Sequence, residues 1–272
     1  ATQPGRGIMP VVGTKPSFAP RAWMGSEESA ATADWIMVGL PYDGTTSYRP
    51  GTRFGPEYMR AASWGLETYS PRLDRDLAET VRYFDAGELD IPIGNRDLVL
   101  KAIYEAAQDV LSQDKKWFGI GGEHLVTYPV VQAYVEKYPD LGILHFDAHA
   151  DLRDDYLGEK LSHATVLRRC VELTGPDRLV QLGIRSGPRE EFAWMRANGT
   201  LVEREEQVAA ARARLAGRKR GTEGSVPSPF AGRPMYVERW TFAKAQAREW
   251  RQERPLSLAS AAARSAGVLV QT

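Results

Sequence analysis

Three residues at alternate positions, Asp147, His149 and Asp151, follow the apolar run "LGILHF" in the stretch "LGILHFDAHADLR". Two carboxylates and an imidazole spaced i, i+2, i+4 share one face if the segment stays extended. Such groups repel one another and lose hydration where a strand leaves a core, so they need a partner. A divalent cation is the economical partner, because carboxylate and imidazole are its hard and borderline ligands. A second contribution comes from "GIGGEHLVTYP", where His124 ends another apolar run after two glycines that permit a tight turn. If the two strand ends are neighbours, His124 reaches the same point. His145 lies on the same alternation, yet it precedes the cluster inside the apolar run. It is read as structural, or as a support behind the ligands. A cation held this way lowers the pKa of water and supplies a nucleophile near neutral pH, which is hydrolytic chemistry.

The elements that must position these groups alternate along the chain. Strands are expected at 34–41, 81–89, 116–122, 141–147 and 178–186. Helices are expected from Pro56, over 97–111, up to about Lys137, over 164–173 and over 190–196, with a further one at 203–215. Pro56 suits the first turn of its helix. Strands alternating with helices predict an α/β fold with a central, mostly parallel sheet covered on both faces. In such sheets ligands bind beyond the carboxyl ends of the strands, which is where the cluster falls. Residues 1–33 read as an irregular arm rich in Pro, Gly and Ala. The Gly/Pro-rich loop from Asp43 to Phe54 is read either as part of the site rim or as plain turns.

Bulk properties exclude several classes. The 272 residues are 43% hydrophobic, enough for a sizeable core. The formal net charge is zero, which gives no footprint for nucleic acid or an anionic membrane. No run reaches the roughly 18 apolar residues of a membrane span. The single cysteine, Cys170, falls in a helical pattern and is read as core. It fits a reducing cytosol, so a cytoplasmic location is expected. Trp194, Trp240 and Trp250 are read as packing residues.

The strings "RPGTRFGPEYMR", "GGEH", "FDAHADLR" and "SHATVLRR", in this order and spacing over about residues 30–216, resemble the ureohydrolase family of arginases and agmatinases. "DAHADLRDDYLGEKLSHATVLRR" and "GIRSGPREEFAWMRANG" are most similar to bacterial agmatinases. The resemblance implies a three-layer α/β/α domain, a trimer or hexamer, and two Mn²⁺ ions that serve hydrolysis of a small guanidino substrate. Carried over residue by residue, His124, Asp147 and Asp151 are implied as ligands of one manganese. Asp147 and His149 are implied for the other, with Asp147 bridging. His163 resembles the family histidine that passes a proton near the substrate. Agmatine, giving putrescine and urea, is the implied substrate.

The likeness stops abruptly. All 15 Asp fall in the first 177 residues. The family's D-x-D-x-x-D-P motif should follow "RLAGR", but "KRGTEGSVPSPF" stands there. Glu223, Glu238, Glu249 and Glu253 lie in no matching context. From Gly217 onward ten Lys and Arg stand against four Glu. Residues 1–216 are therefore expected to form a ureohydrolase-like domain, with 217–272 a basic segment that completes or replaces its end. There "MYVERW" and "GVLVQ" are candidate strands, and 242–254 and 256–266 candidate helices. With two Asp where the family has four, at most one tightly held ion is expected, since a bridged pair needs shared carboxylates to offset ion–ion repulsion. A catalytically impaired homologue, acting as a metal-binding or partner subunit, is the alternative reading. A shifted reading frame and true divergence both account for the tail, and the nucleotide sequence around codons 216–220 separates them.

Overall fold

A computed structural model describes residues 22–27, 29–202, 235–239 and 268–271. The chain divides into two compact units, residues 1–137 and 138–272. The expected helices at 203–215, 242–254 and 256–266, most of the N-terminal arm, and Trp240 and Trp250 lie outside the described residues.

The first unit runs β1 (Trp35–Leu40), α1 (Gly55–Ser63), β2 (Tyr69–Ser70), β3 (Arg75–Asp76), α2 (Leu77–Thr80), β4 (Tyr83–Glu88), α3 (Arg96–Ser112), β5 (Lys116–Gly121) and α4 (Thr127–Lys137). Its main sheet has the order β4-β1-β5, with both pairings parallel. The continuous apolar run of β1 follows from this central place, since a strand covered on both faces has no polar side to show. Pro56 does sit in the first turn of α1. Asn95 caps α3, its side chain accepting from Leu98 N–H. Val99, Ile103, Ala106, Ala107 and Val110 recur at helical spacing on the buried face of α3. α3 is clamped to α4 where Glu136 accepts from Tyr104 Oη (2.6 Å) and Gln108 Nε2 (2.9 Å).

A buried ion pair anchors this unit. Arg60 of α1 donates from Nε to Asp85 Oδ2 of β4 (2.8 Å) and from Nη2 to the Gly87 carbonyl (2.9 Å). Its Nη1 reaches Glu88 Oε1 at 3.3 Å. The side chains of Arg60 and Asp85 are 2% and 1% exposed. Asp85 also accepts from Trp23 N–H (2.7 Å), so the same carboxylate fastens the entering chain.

The second unit runs β6 (Gly142–Phe146), α5 (Val166–Thr174), β7 (Leu179–Leu182), α6 (Arg189–Asn198), β8 (Leu201–Val202), β9 (Met235–Arg239) and β10 (Val268–Gln271). These strands form one parallel sheet in the order β10-β9-β6-β7-β8. β6 is thus interior, and four of its five residues are buried. Cys170 is buried in α5, as read from the sequence. β9 and β10 are the two candidate strands of the tail. β9 pairs with β6 from Gly142↔Met235 to Phe146↔Arg239. The α/β class and parallel pairing expected from the sequence hold in both units.

Candidate metal centre

β6 ends at Phe146, and the chain turns where the acids begin. Asp147 N–H donates to the carbonyl of Leu182 at the end of β7 (3.1 Å). Its buried carboxylate accepts through Oδ1 from His149 N–H (2.8 Å), an Asx-type turn that folds the loop back on the carboxylate. The extended run that would align Asp147, His149 and Asp151 is therefore broken. A bend falls at Ala148, and Asp151 lies in the left-handed region with φ of 50°. The Asp147 side chain is 7% exposed and that of His149 is 61% exposed. The His149 ring still stays close, with Nδ1 3.7 Å from Asp147 Oδ1.

The backbone of the loop is held by main-chain and side-chain groups of neighbouring segments. The Ala148 carbonyl accepts from Arg185 N–H (2.9 Å) and Ser186 N–H (3.0 Å). The Ala150 carbonyl accepts from Gln181 Nε2 (3.0 Å). The Asp151 carbonyl accepts from Leu167 and Arg168 N–H, donors that the first turn of α5 leaves unused. Glu191 of α6 accepts from Leu152 N–H (2.7 Å). Burial pushes the Glu191 carboxyl above its usual range, helped by the charge of Asp151 and opposed by hydrogen bonds from Leu152 and Arg153. At Gly183, φ is 85° and a Cβ would stand 3.1 Å from the Asp147 carbonyl, so glycine is needed under the cluster. His163 is half-buried just before α5, edge-on to Tyr156 with ring centroids 5.4 Å apart. His145 is wholly buried, its Nε2 3.5 Å from Asp147 Oδ2.

In the first unit, His124 is buried and opens the 3-10 turn His124–Val126 that leads into α4. The glycines before it serve a different purpose from the one expected. Gly122 has no positive φ; a Cβ there would collide with the Tyr42 carbonyl. That approach lets Glu123 N–H donate to the same carbonyl (2.7 Å). The Glu123 carboxylate, buried, accepts from Thr45 N–H (2.6 Å) and Thr45 Oγ1 (2.5 Å). Burial raises the Glu123 carboxyl, while the Thr45 hydrogen bonds and the adjacent His124 pull it back. Asp43 ties the other side of the loop, accepting from Gly51 N–H (2.6 Å) and Arg53 Nε (2.7 Å). Burial there acts upward, but the Arg53 and Gly51 hydrogen bonds outweigh it and the Asp43 carboxyl is lowered.

Sequence reasoning missed Glu123, Gln181 and Glu191. Gln181 did carry a signal, being the polar interruption of the apolar strand "LVQL". Among the described residues, His124, His145 and Asp147 are buried groups of metal-binding type. Within the second unit, Asp147 with the nearby His149 fits a divalent cation by donor chemistry.

The comparisons with known proteins agree with this chemistry. The profile of the Arginase family matches residues 33–218. The chain is 45% identical over 221 residues to the agmatinase of Bacillus subtilis (strain 168), covering 81% of this chain and 72% of that protein. The crystal structure of agmatine ureohydrolase of Thermoplasma volcanium superposes with a TM-score of 0.64 at 25% identity, covering 82% of this chain and 72% of that one. Proclavaminate amidino hydrolase from Streptomyces clavuligerus gives 0.62 at 25% identity, covering 76% and 68%. The fold is the arginase-type α/β fold with a mostly parallel sheet. The chain belongs to the arginase family.

Proposed function

We propose that this chain hydrolyses agmatine to putrescine and urea in a manganese-dependent reaction. The observation that carries the reading is the loop 147–151, built around a buried carboxylate and fixed by backbone hydrogen bonds, in a chain 45% identical to an agmatinase. The ligands assigned by the family resemblance are His124, Asp147, His149 and Asp151. Manganese, when bound, supplies Lewis-acid activation of water. The chain's own residues do the rest. Asp147 and Asp151 bring the negative charge that a dication requires, and the turn at Asp147 holds its buried carboxylate in place. His163, half-buried and steadied by Tyr156, hands a proton to the leaving amine nitrogen as the carbon–nitrogen bond to the guanidinium carbon breaks. The loop from Asp43 to Phe54 is tied down within its own unit by Asp43 and Glu123.

Two Asp against the family's four support one tightly held ion per chain. β9 and β10 add two strands to the sheet of β6, β7 and β8, which supports reading residues 217–272 as a segment that completes or replaces the end of the same domain. A cytoplasmic location fits the single buried cysteine, and a homo-oligomer fits the family. The second reading, a non-catalytic partner subunit, draws on the missing Asp motif alone, and the comparisons give it no support. Urea release from agmatine with added Mn²⁺ tests the proposal, with His149→Ala as control. Absence of urea at saturating manganese sinks the agmatinase reading, and two tight manganese sites per chain contradict the single-ion reading.

A further inference from the structure

Behind the acid loop lies a chain of buried polar side chains that the proposed reaction does not use. Thr200, Gln181 and His145 are all fully buried. Thr200 Oγ1 stands 3.1 Å from Gln181 Oε1. Gln181 Nε2 is 3.0 Å from the Ala150 carbonyl and 3.1 Å from His145 Nδ1. The far ring nitrogen, His145 Nε2, is 3.5 Å from Asp147 Oδ2.

The chemistry of these groups fixes their protons. A backbone carbonyl only accepts, so the end of the Gln181 amide that faces Ala150 must be its NH₂ group. The opposite end is then the oxygen, and Thr200 supplies its donor. With one amide hydrogen on Ala150, the other points at His145 Nδ1. Two donors cannot face each other in a dry interior, so Nδ1 carries the lone pair. The ring proton therefore sits on Nε2, on the side of the Asp147 carboxylate. A nitrogen that holds a proton has no lone pair for a cation. That nitrogen stands 3.5 Å from the negative oxygen of Asp147, an electrostatic approach rather than a hydrogen bond.

We infer that Gln181 locks His145 in the Nε2-protonated tautomer, making His145 a positioning residue that steers the Asp147 carboxylate rather than a metal ligand. His145 is buried and of ligand type beside an acid, so its residue type alone does not exclude it from a donor set. The amide of Gln181 does. The tautomer stands on geometry alone, whereas its consequence for manganese rests on the reading of Asp147 as a ligand.

The chain has four histidines, which makes a ring-nitrogen spectrum tractable. Full-length, chelator-treated protein labelled with ¹⁵N-histidine is recorded in a long-range ¹H–¹⁵N experiment at neutral pH. The His145 signals are those missing from His145→Gln. We expect an unprotonated Nδ1 and a protonated Nε2. A proton on Nδ1, or shifts averaged over both tautomers, overturns the inference. Gln181→Met should lose the single tautomer, with the signals of His163 reporting that the fold persists. An unchanged His145 signature in folded Gln181→Met shows that Gln181 does not set it. Manganese binding then tests the role. His145→Asn should keep the wild-type number of ions per chain with affinity about 10–100-fold weaker, the usual effect of losing a group behind a ligand. Loss of an ion makes His145 a ligand and refutes its assignment. If the wild type binds no manganese, the agmatinase reading fails while the tautomer result still decides this inference.

Discussion

Replacing Arg60 by Met probes the anchor of the first unit. Methionine keeps most of the apolar stem but removes three contacts: the Asp85 carboxylate (2.8 Å), the Gly87 carbonyl (2.9 Å) and Glu88 (3.3 Å). Breaking a buried pair by deleting one partner costs about 3–5 kcal/mol, because the remaining charge is stranded. Asp85 retains hydrogen bonds from Trp23 N–H (2.7 Å) and Gly87 N–H (3.0 Å), which places the expected loss near the lower end, about 3 kcal/mol. At a urea dependence of about 3 kcal/mol per molar, the unfolding midpoint falls by about 1 M. Urea titrations followed by tryptophan fluorescence and circular dichroism measure it. Arg60→Met combined with Asp85→Asn removes the stranded charge, so its loss should be well short of the sum of the two single losses. A single-variant loss under about 1 kcal/mol, or strict additivity in the double variant, refutes the claim that this pair is buried and coupled.

Three further outcomes are expected. The Glu191 carboxyl is raised by burial, so the folded state favours its protonated form; that contribution is present below the unfolded pKa and lost as pH rises through the folded value. Metal-free Glu191→Gln, which keeps an acceptor for Leu152 N–H, should therefore gain stability relative to wild type as pH rises above the usual glutamate range in urea titrations. Gly122→Ala forces a methyl group into the Tyr42 carbonyl and should lower both the melting temperature and manganese affinity, while Gly94→Ala, with open space around it, changes only the former. Val237→Pro removes a backbone donor from β9, which is paired on both sides, so amide exchange in β6 should accelerate.

The fold was legible where burial imposes a pattern. β1 and β6 are largely apolar runs because they lie inside their sheets and are buried along most of their length, and α3 shows its buried stripe at helical spacing. The hairpin of β2 and β3 escaped because two-residue strands carry no periodicity; it is closed through Asp74 at φ of 50°. β7 reads as reaching residue 186 but stops at Leu182, because Gly183 turns beneath Asp147. At the site, residue types were readable and their directions were not. Alternation assumes extended backbone, and the bend at Ala148 and the left-handed Asp151 cancel it. Glu123 and Glu191 act by receiving backbone N–H groups from distant loops, a relation that no local spacing records.

β9 lies beside β6 in parallel register. Ladder bonds are made by main-chain atoms, which nearly every amino acid supplies alike, so the neighbour of β6 is recruited without inspection of its side groups. Pairing at this position therefore sets little demand on which side chains the neighbouring strand carries. Integrity of the scaffold then ceases to certify competence: a well-behaved, cooperatively melting preparation carries no guarantee of turnover, and the two must be assayed apart.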